Sequence, residues 1–107
     1  MPKTRPVDGL ILEAVSFDAE TFDEIVAYLN GPDSEWRYRF ERNAQRTEVL
    51  VALTRLVREG SIEVHLPRPD GLDVESCGEG VWPDRPVEQL FFELTGRGWL
   101  LCLNSDC

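Results

Sequence analysis

The stretch from Val49 to Leu66 constrains the fold most, because its hydrophobic period changes once, at a glycine. Val49, Leu53, Leu56 and Val57 recur at the spacing of one helical face. Directly after Gly60, Ile62, Val64 and Leu66 alternate with Glu63 and His65, the period of a half-buried strand. Glycine takes the left-handed backbone turn that ends a helix without a Cβ clash. A helix therefore feeds a strand with no room for a loop between them, and both bury residues in one core. A purely helical or purely stranded fold is excluded.

The rest of the chain extends this reading. A first helix is predicted from Asp8, its candidate N-cap, with Leu10, Ile11, Ala14 and Val15 on one face. Phe22, Ile25, Val26 and Leu29 mark a second helix that Asn30-Gly31-Pro32 ends. Its start is open between an Asp18 cap, with Phe17 stapled on Phe22, and a Thr21–Glu24 capping box. Asp33 or Ser34 caps a short helical turn holding Trp36 and Phe40, before the third helix begins near Asn43. Four prolines and three glycines between Pro67 and Pro86 read as loop, and Leu90–Leu94 as a strand. The end of the chain has two readings. Thr95-Gly96-Arg97-Gly98 is either a hairpin turn into a strand at Trp99–Leu103, or the capped first turn of a short helix.

Two spacings carry a family resemblance. Val49-x3-Leu53-x2-Leu56-x3-Gly60-x-Ile62 resembles the third helix of winged-helix domains running through its glycine into the wing strand. Leu94-Thr95-x2-Gly98-x2-Leu101 is similar to the second wing strand entering a short last helix. The order helix, helix, helix, strand, long loop, strand also matches, over roughly residues 7–103. The sequence departs from the family in the length of Asn30–Arg42, in a longer wing loop containing Trp82, and in Gly96 and Gly98. The resemblance implies an α+β winged-helix fold, with a three-helix core, a two-stranded antiparallel wing and a short C-terminal segment. One domain spans residues 1–107, with a flexible arm at 1–6 and a long acidic wing loop at 67–89.

Composition narrows the function. The 107 residues carry 20 acids against 11 bases, a net charge of −9, which excludes a general polyanion binder held by bulk positive charge. No apolar run approaches the ~18 residues of a membrane span, and Met1–Pro6 lacks a signal-peptide apolar stretch. Cys77, Cys102 and Cys107 form an odd set without C-x-x-C spacing, so the expectation is reduced thiols in a cytoplasmic protein. Three scattered thiols and one histidine make no zinc set, and Asp70, Asp73, Glu75 and Glu79 miss the calcium-loop spacing. His65 is expected on the outward face of its strand. No nucleophile elbow, zinc-protease helix or phosphate loop is present, so neither catalysis nor a cofactor is expected.

The resemblance implies DNA recognition by the third helix and a transcription regulator. Charge agrees locally: Trp36–Arg58 holds six arginines against Glu41 and Glu48, a balance of +4, while the remainder holds five bases and eighteen acids. The expected double-stranded DNA contacts are Arg42, Gln45, Arg46, Thr47, Arg55 and Arg58. The face opposite Val49, Leu53 and Leu56 holds Ala44, Thr47, Glu48, Val51, Arg55 and Arg58, so it also carries an acid. The loop Pro67–Glu88 carries six acids against Arg68 and Arg85, which would repel phosphate. The second reading is therefore a module that binds a protein partner through the acidic wing, with Trp36 and Trp82 as anchors. In either case the unbroken apolar run at 99–103 predicts a homodimer contact through Trp99, Leu100 and Leu103.

Overall fold

The computed structural model describes residues 6–16, 19–31, 43–69, 71 and 74–104. In chain order they form α1 (Pro6–Ala14), β1 (Glu20–Thr21), α2 (Phe22–Leu29), α3 (Arg46–Arg58), β2 (Ile62–Pro67), β3 (Val74–Ser76), a 3-10 turn (Val87–Gln89), β4 (Phe91–Leu94) and α4 (Gly96–Asn104). The four strands make one antiparallel sheet in the order β1-β4-β2-β3. The chain is thus a mixed α+β fold.

Helix α1 lies at the centre. Leu10, Ile11, Leu12 and Ala14, with Val15 just past its end, are buried, so most of the helix is enclosed, packed against by α2, α3 and α4. Proline at its first position suits a helix start, because the missing N–H would have no helical partner there. Val49, Leu53, Leu56 and Val57 of α3 are fully enclosed, as the periodicity predicts. Gly60 follows with φ +81°, and β2 begins at Ile62. On the inner face of the sheet Ile62 and Val64 meet Leu94 and Phe92 in register, and all four are buried. Glu63, His65, Phe91 and Glu93 occupy the outer face.

Two side chains tie the helices to their neighbours. Asn30 ends α2 and grips the Ala44 backbone from both sides: Oδ1 accepts its N–H at 2.6 Å and Nδ2 donates to its carbonyl at 3.2 Å. Thr95 links the Gly60 turn to α4. Its hydroxyl donates to the Gly60 carbonyl at 2.6 Å and accepts the Gly98 N–H at 3.0 Å, while its own N–H donates to the Ser61 carbonyl at 3.1 Å. A Cβ at Gly98 would collide with that same Ser61 carbonyl oxygen and with Leu94. Glycine inside α4, unfavourable by helix propensity, is what lets the helix lie on the turn.

Several expectations change. Of the two readings of the final segment, the structure takes the short helix capped by Thr95 and not the third strand. The sheet has four strands, where a two-stranded wing was expected. β1 holds only two residues, too few for alternation to register in a sequence. β3 lies inside the stretch 67–89 that its prolines and glycines mark as loop, and that stretch is further fixed by the 3-10 turn and by Trp82. The Trp82 ring stacks obliquely on Phe92, centroids 5.6 Å apart, and Cys77 and Val87 also pack on the core. Pro6 belongs to α1 and not to an arm, so Asp8 sits in the first turn of that helix and does not cap it. Thr21 caps α2 in a reciprocal box with Glu24, which replaces the Asp18 start; Phe17 and Asp18 lie outside the described residues. Helix α3 starts at Arg46, and Ala44 is buried against α2 where the helical projection turned it outward. The predicted turn at Asp33–Phe40 and the arm at 1–5 also lie outside the described residues.

Candidate functional site

The residues expected to meet DNA converge on α3, but two of the arginines are committed to acids of the same chain. Arg46, in the first turn, donates from Nη1 to Asp23 Oδ1 at 2.6 Å, and its guanidinium lies 4.7 Å from the centroid of the Phe22 ring. It clamps α3 onto the start of α2. Arg55 forms a two-pronged pair with Asp8 of α1, from Nη1 to Oδ2 at 2.7 Å and from Nη2 to Oδ1 at 2.8 Å. The Asp8 side chain is only 8% exposed and that of Arg55 33%. These hydrogen bonds raise the Arg55 guanidinium above its ordinary pKa, against the opposing effect of burial. Fork-to-fork geometry is the strong form of this contact. Gln45 and Thr47 are exposed, and the Gln45 backbone N–H donates to Glu48 Oε1 at 2.6 Å. Arg58 is exposed and has no ion partner among the described residues. Arg42 lies outside them.

What remains on the outward side of α3 is a seam. Thr47, Val51, Thr54 and Arg58 follow one another at steps of four, three and four residues, so they line one side of the helix. Val51 stands in the middle of it, 68% exposed. Leu50, Val51, Thr54, Arg55, Arg58 and Glu59 line an open depression of about 610 Å³ along this side. Its middle is apolar and its charges gather toward the end of the helix.

The other predicted contact also lies on one helix. Trp99 and Leu100 of α4 are exposed, at 45% and 64%, while the Leu103 side chain lies outside the description. Trp82, a candidate anchor in the stretch 67–89, is instead partly buried against Phe92. Of the acids in that stretch, Glu75, Glu79, Asp84 and Glu88 are exposed, and Asp70 and Asp73 lie outside the described residues.

His65 departs from its expected exposed position. It lies on the outer face of β2, but its side chain is 12% exposed and both ring nitrogens are shielded, with no hydrogen-bond partner. Nε2 stands 3.3 Å from Glu93 Oε2 and 3.6 Å from Glu63 Oε2. Glu63 also accepts a hydrogen bond from the Ser76 hydroxyl at 2.9 Å. Among the described residues no group of three or more His, Cys, Asp or Glu is arranged to hold a metal ion. Burial pushes the Cys77 thiol up, with Glu75 adding to the effect, so it is poorly activated as a nucleophile.

Sequence reasoning missed the Asp8–Arg55 pair, whose partners are 47 residues apart with no local signal between them. It did contain one clue to the seam: Val51 projects among polar residues on the side of α3 opposite the core. No helix among the described residues is long and apolar enough to cross a membrane. No family model matches the chain, and no curated protein or solved structure matches it either.

Proposed function

We propose that this chain is a protein-interaction module of winged-helix type, which presents the outward side of α3 to a protein partner. The arrangement behind this reading is α1, α2 and α3 in order, α3 passing through Gly60 into β2, and β4 passing through Thr95 into α4. The observation that carries the functional part is the middle of α3's outward side. A helix that reads bases in a groove does so chiefly through polar side chains, with cations flanking for phosphate. Here Val51 occupies the middle, and Arg46 and Arg55 are neutralised by Asp23 and Asp8. Freeing Arg55 for a phosphate would strand a buried carboxylate. The net charge of −9 adds long-range repulsion, though salt screens it beyond about 8 Å.

DNA binding is the competing function, supported by the exposed Gln45, Thr47 and Arg58 at the two ends of the helix. The test places a photo-crosslinking benzoylphenylalanine at position 51, with a control at exposed Glu93, in cells that make the protein. A protein adduct specific to position 51 is expected, and random duplex at low salt leaves the amide spectrum of α3 unchanged. A nucleic-acid adduct would return the function to DNA recognition. So would duplex binding that weakens with salt at a slope of about −0.9 per phosphate contacted.

A further inference from the structure

The outer face of the sheet holds the chain's one imidazole against two acids, and the strand register puts them there. Glu63 of β2 and Glu93 of β4 stand directly opposite each other across the antiparallel ladder. Like charges so placed are destabilising, because the ladder brings their Cβ atoms to about 5 Å. His65 follows two residues along β2, so its ring projects from the same face. Nε2 lies 3.3 Å from Glu93 Oε2 and 3.6 Å from Glu63 Oε2. Glu63 is itself aimed by Ser76 of β3, whose hydroxyl donates to it at 2.9 Å and accepts the Gly78 N–H at 3.0 Å. The cluster therefore spans β2, β3 and β4. Its other neighbours are uncharged: Phe91 of β4 and Ser76 pair with His65 on either side, and Thr21 of β1 lies beyond Phe91. Glu75 alternates to the opposite face of β3, and Cys77 packs on the core. Among the described residues no lysine or arginine pairs with Glu63 or Glu93.

A neutral imidazole fits this place poorly. Both ring nitrogens are shielded from water without a hydrogen-bond partner, which costs free energy, and the two carboxylates stay opposed. A proton on the ring changes both terms. Nε2–H becomes a charged donor facing two acceptors, and its positive charge offsets the repulsion between β2 and β4. We propose that His65 is a proton-operated clamp, which on taking up a proton draws Glu63 and Glu93 together and locks β4 to β2. The clamp is independent of what α3 binds. It is closed where an imidazole is charged and glutamates are ionised, which ordinary values put between about pH 4.3 and about 6.5. Only the fold holds these acids against the ring. The stabilisation is therefore present on the acid side of the imidazole range and is lost as pH rises through it. Above that range Glu63 and Glu93 repel each other without a counter-charge, and β4 is held less firmly.

The experiment follows the full chain between about pH 8 and pH 5.5 by thermal melting and by the imidazole ring signals in NMR, beside Glu93→Gln and His65→Gln. As the chain's one imidazole, His65 is read without ambiguity. Glu93 is exposed, so Glu93→Gln keeps the fold. Near pH 5.5 this variant is expected to melt about 3 °C below the wild type. Near pH 8 it matches or exceeds the wild type, because there the substitution removes only repulsion. Its imidazole takes up the proton at lower pH than the wild type's. In a His65→Gln background, Glu93→Gln has the same effect at both pH values. A melting difference between wild type and Glu93→Gln that is equal at both pH values overturns the clamp. So does an imidazole titration that Glu93→Gln leaves in place, since either result shows His65 held by packing alone. If His65→Gln fails to fold, the comparison of wild type with Glu93→Gln decides by itself.

Discussion

The two sides of α3 obey different rules although they belong to the same thirteen residues. On the inward side Val49, Leu53, Leu56 and Val57 are sealed from water, and each is held by neighbours that cannot move without opening a void. On the outward side Val51 is an apolar residue of similar kind standing in solvent. The arginines divide the same way. Arg55 reaches inward to a buried carboxylate, whereas Arg46 pairs with an Asp23 whose side chain is 65% exposed. Residue type alone therefore says little about what a position does. The amount of water left around it decides whether the position stabilises the fold or is available to a partner.

The largest test of this contrast substitutes the two apolar residues. Leu53→Ala should destabilise the chain by about 3 kcal/mol, because the enclosed site loses both the transfer energy of the side chain and contacts across the new cavity. Val51→Ala should change monomer stability by less than about 0.5 kcal/mol, as surface substitutions do. Urea unfolding followed by circular dichroism at dilute protein gives both numbers. A cost at Val51 comparable to that at Leu53 would mean that α3's outward side is covered within the monomer.

The arginines give the next effect down. Arg55→Met keeps much of the side-chain volume but leaves the Asp8 carboxylate buried without its two charged donors, a loss of about 2 kcal/mol. The partial exposure of Arg55 is why this falls below the figure for a fully enclosed pair. Arg46→Met removes an exposed ion pair and a cation–π contact with Phe22, together about 1 kcal/mol or less. A double-mutant cycle of Arg55 with Asp8 isolates the coupling, and a value near zero would show that Asp8 is held by something other than Arg55.

How far the sequence revealed this follows from the range of each interaction. The α3–Gly60–β2 junction is readable because its information is local: a helical period, a glycine and a strand period, one after another. The Thr21–Glu24 box and the Thr95 cap are readable for the same reason, since each joins residues three apart. β1 is not readable, because two residues acquire a strand identity only by lying beside Phe91 and Phe92. β3 is obscured by flanking prolines and glycines, although its pairing with His65–Pro67 is regular. Gly98 looks like a defect in a helix until the Ser61 carbonyl is seen beneath it. The candidate site divides likewise. Helical projection picks out Val51, but it cannot show that Asp8 has already engaged Arg55.

The smallest expected effect concerns an acid that keeps its water. Glu24 accepts the Thr21 backbone N–H at 3.0 Å and returns its own N–H to the Thr21 hydroxyl at 3.2 Å. The hydrogen bonds from Thr21, the backbone one foremost, hold its carboxyl below the ordinary value of 4.5. A carboxyl with a depressed folded pKa adds stability above its unfolded pKa and loses it as pH falls through the folded value. The contribution should therefore be present at neutral pH and disappear progressively below about pH 4.5. Glu24→Gln retains an acceptor oxygen but cannot ionise, so wild type and variant should differ at neutral pH and converge in acid. Solvent exposure keeps the global difference small, within about 2 °C of melting temperature. The clearer readout is amide exchange at Glu24 and the following turn of α2, faster in the variant at neutral pH and equal in acid. A difference that persists unchanged below pH 4 would mean that geometry, and not the carboxylate charge, closes the box.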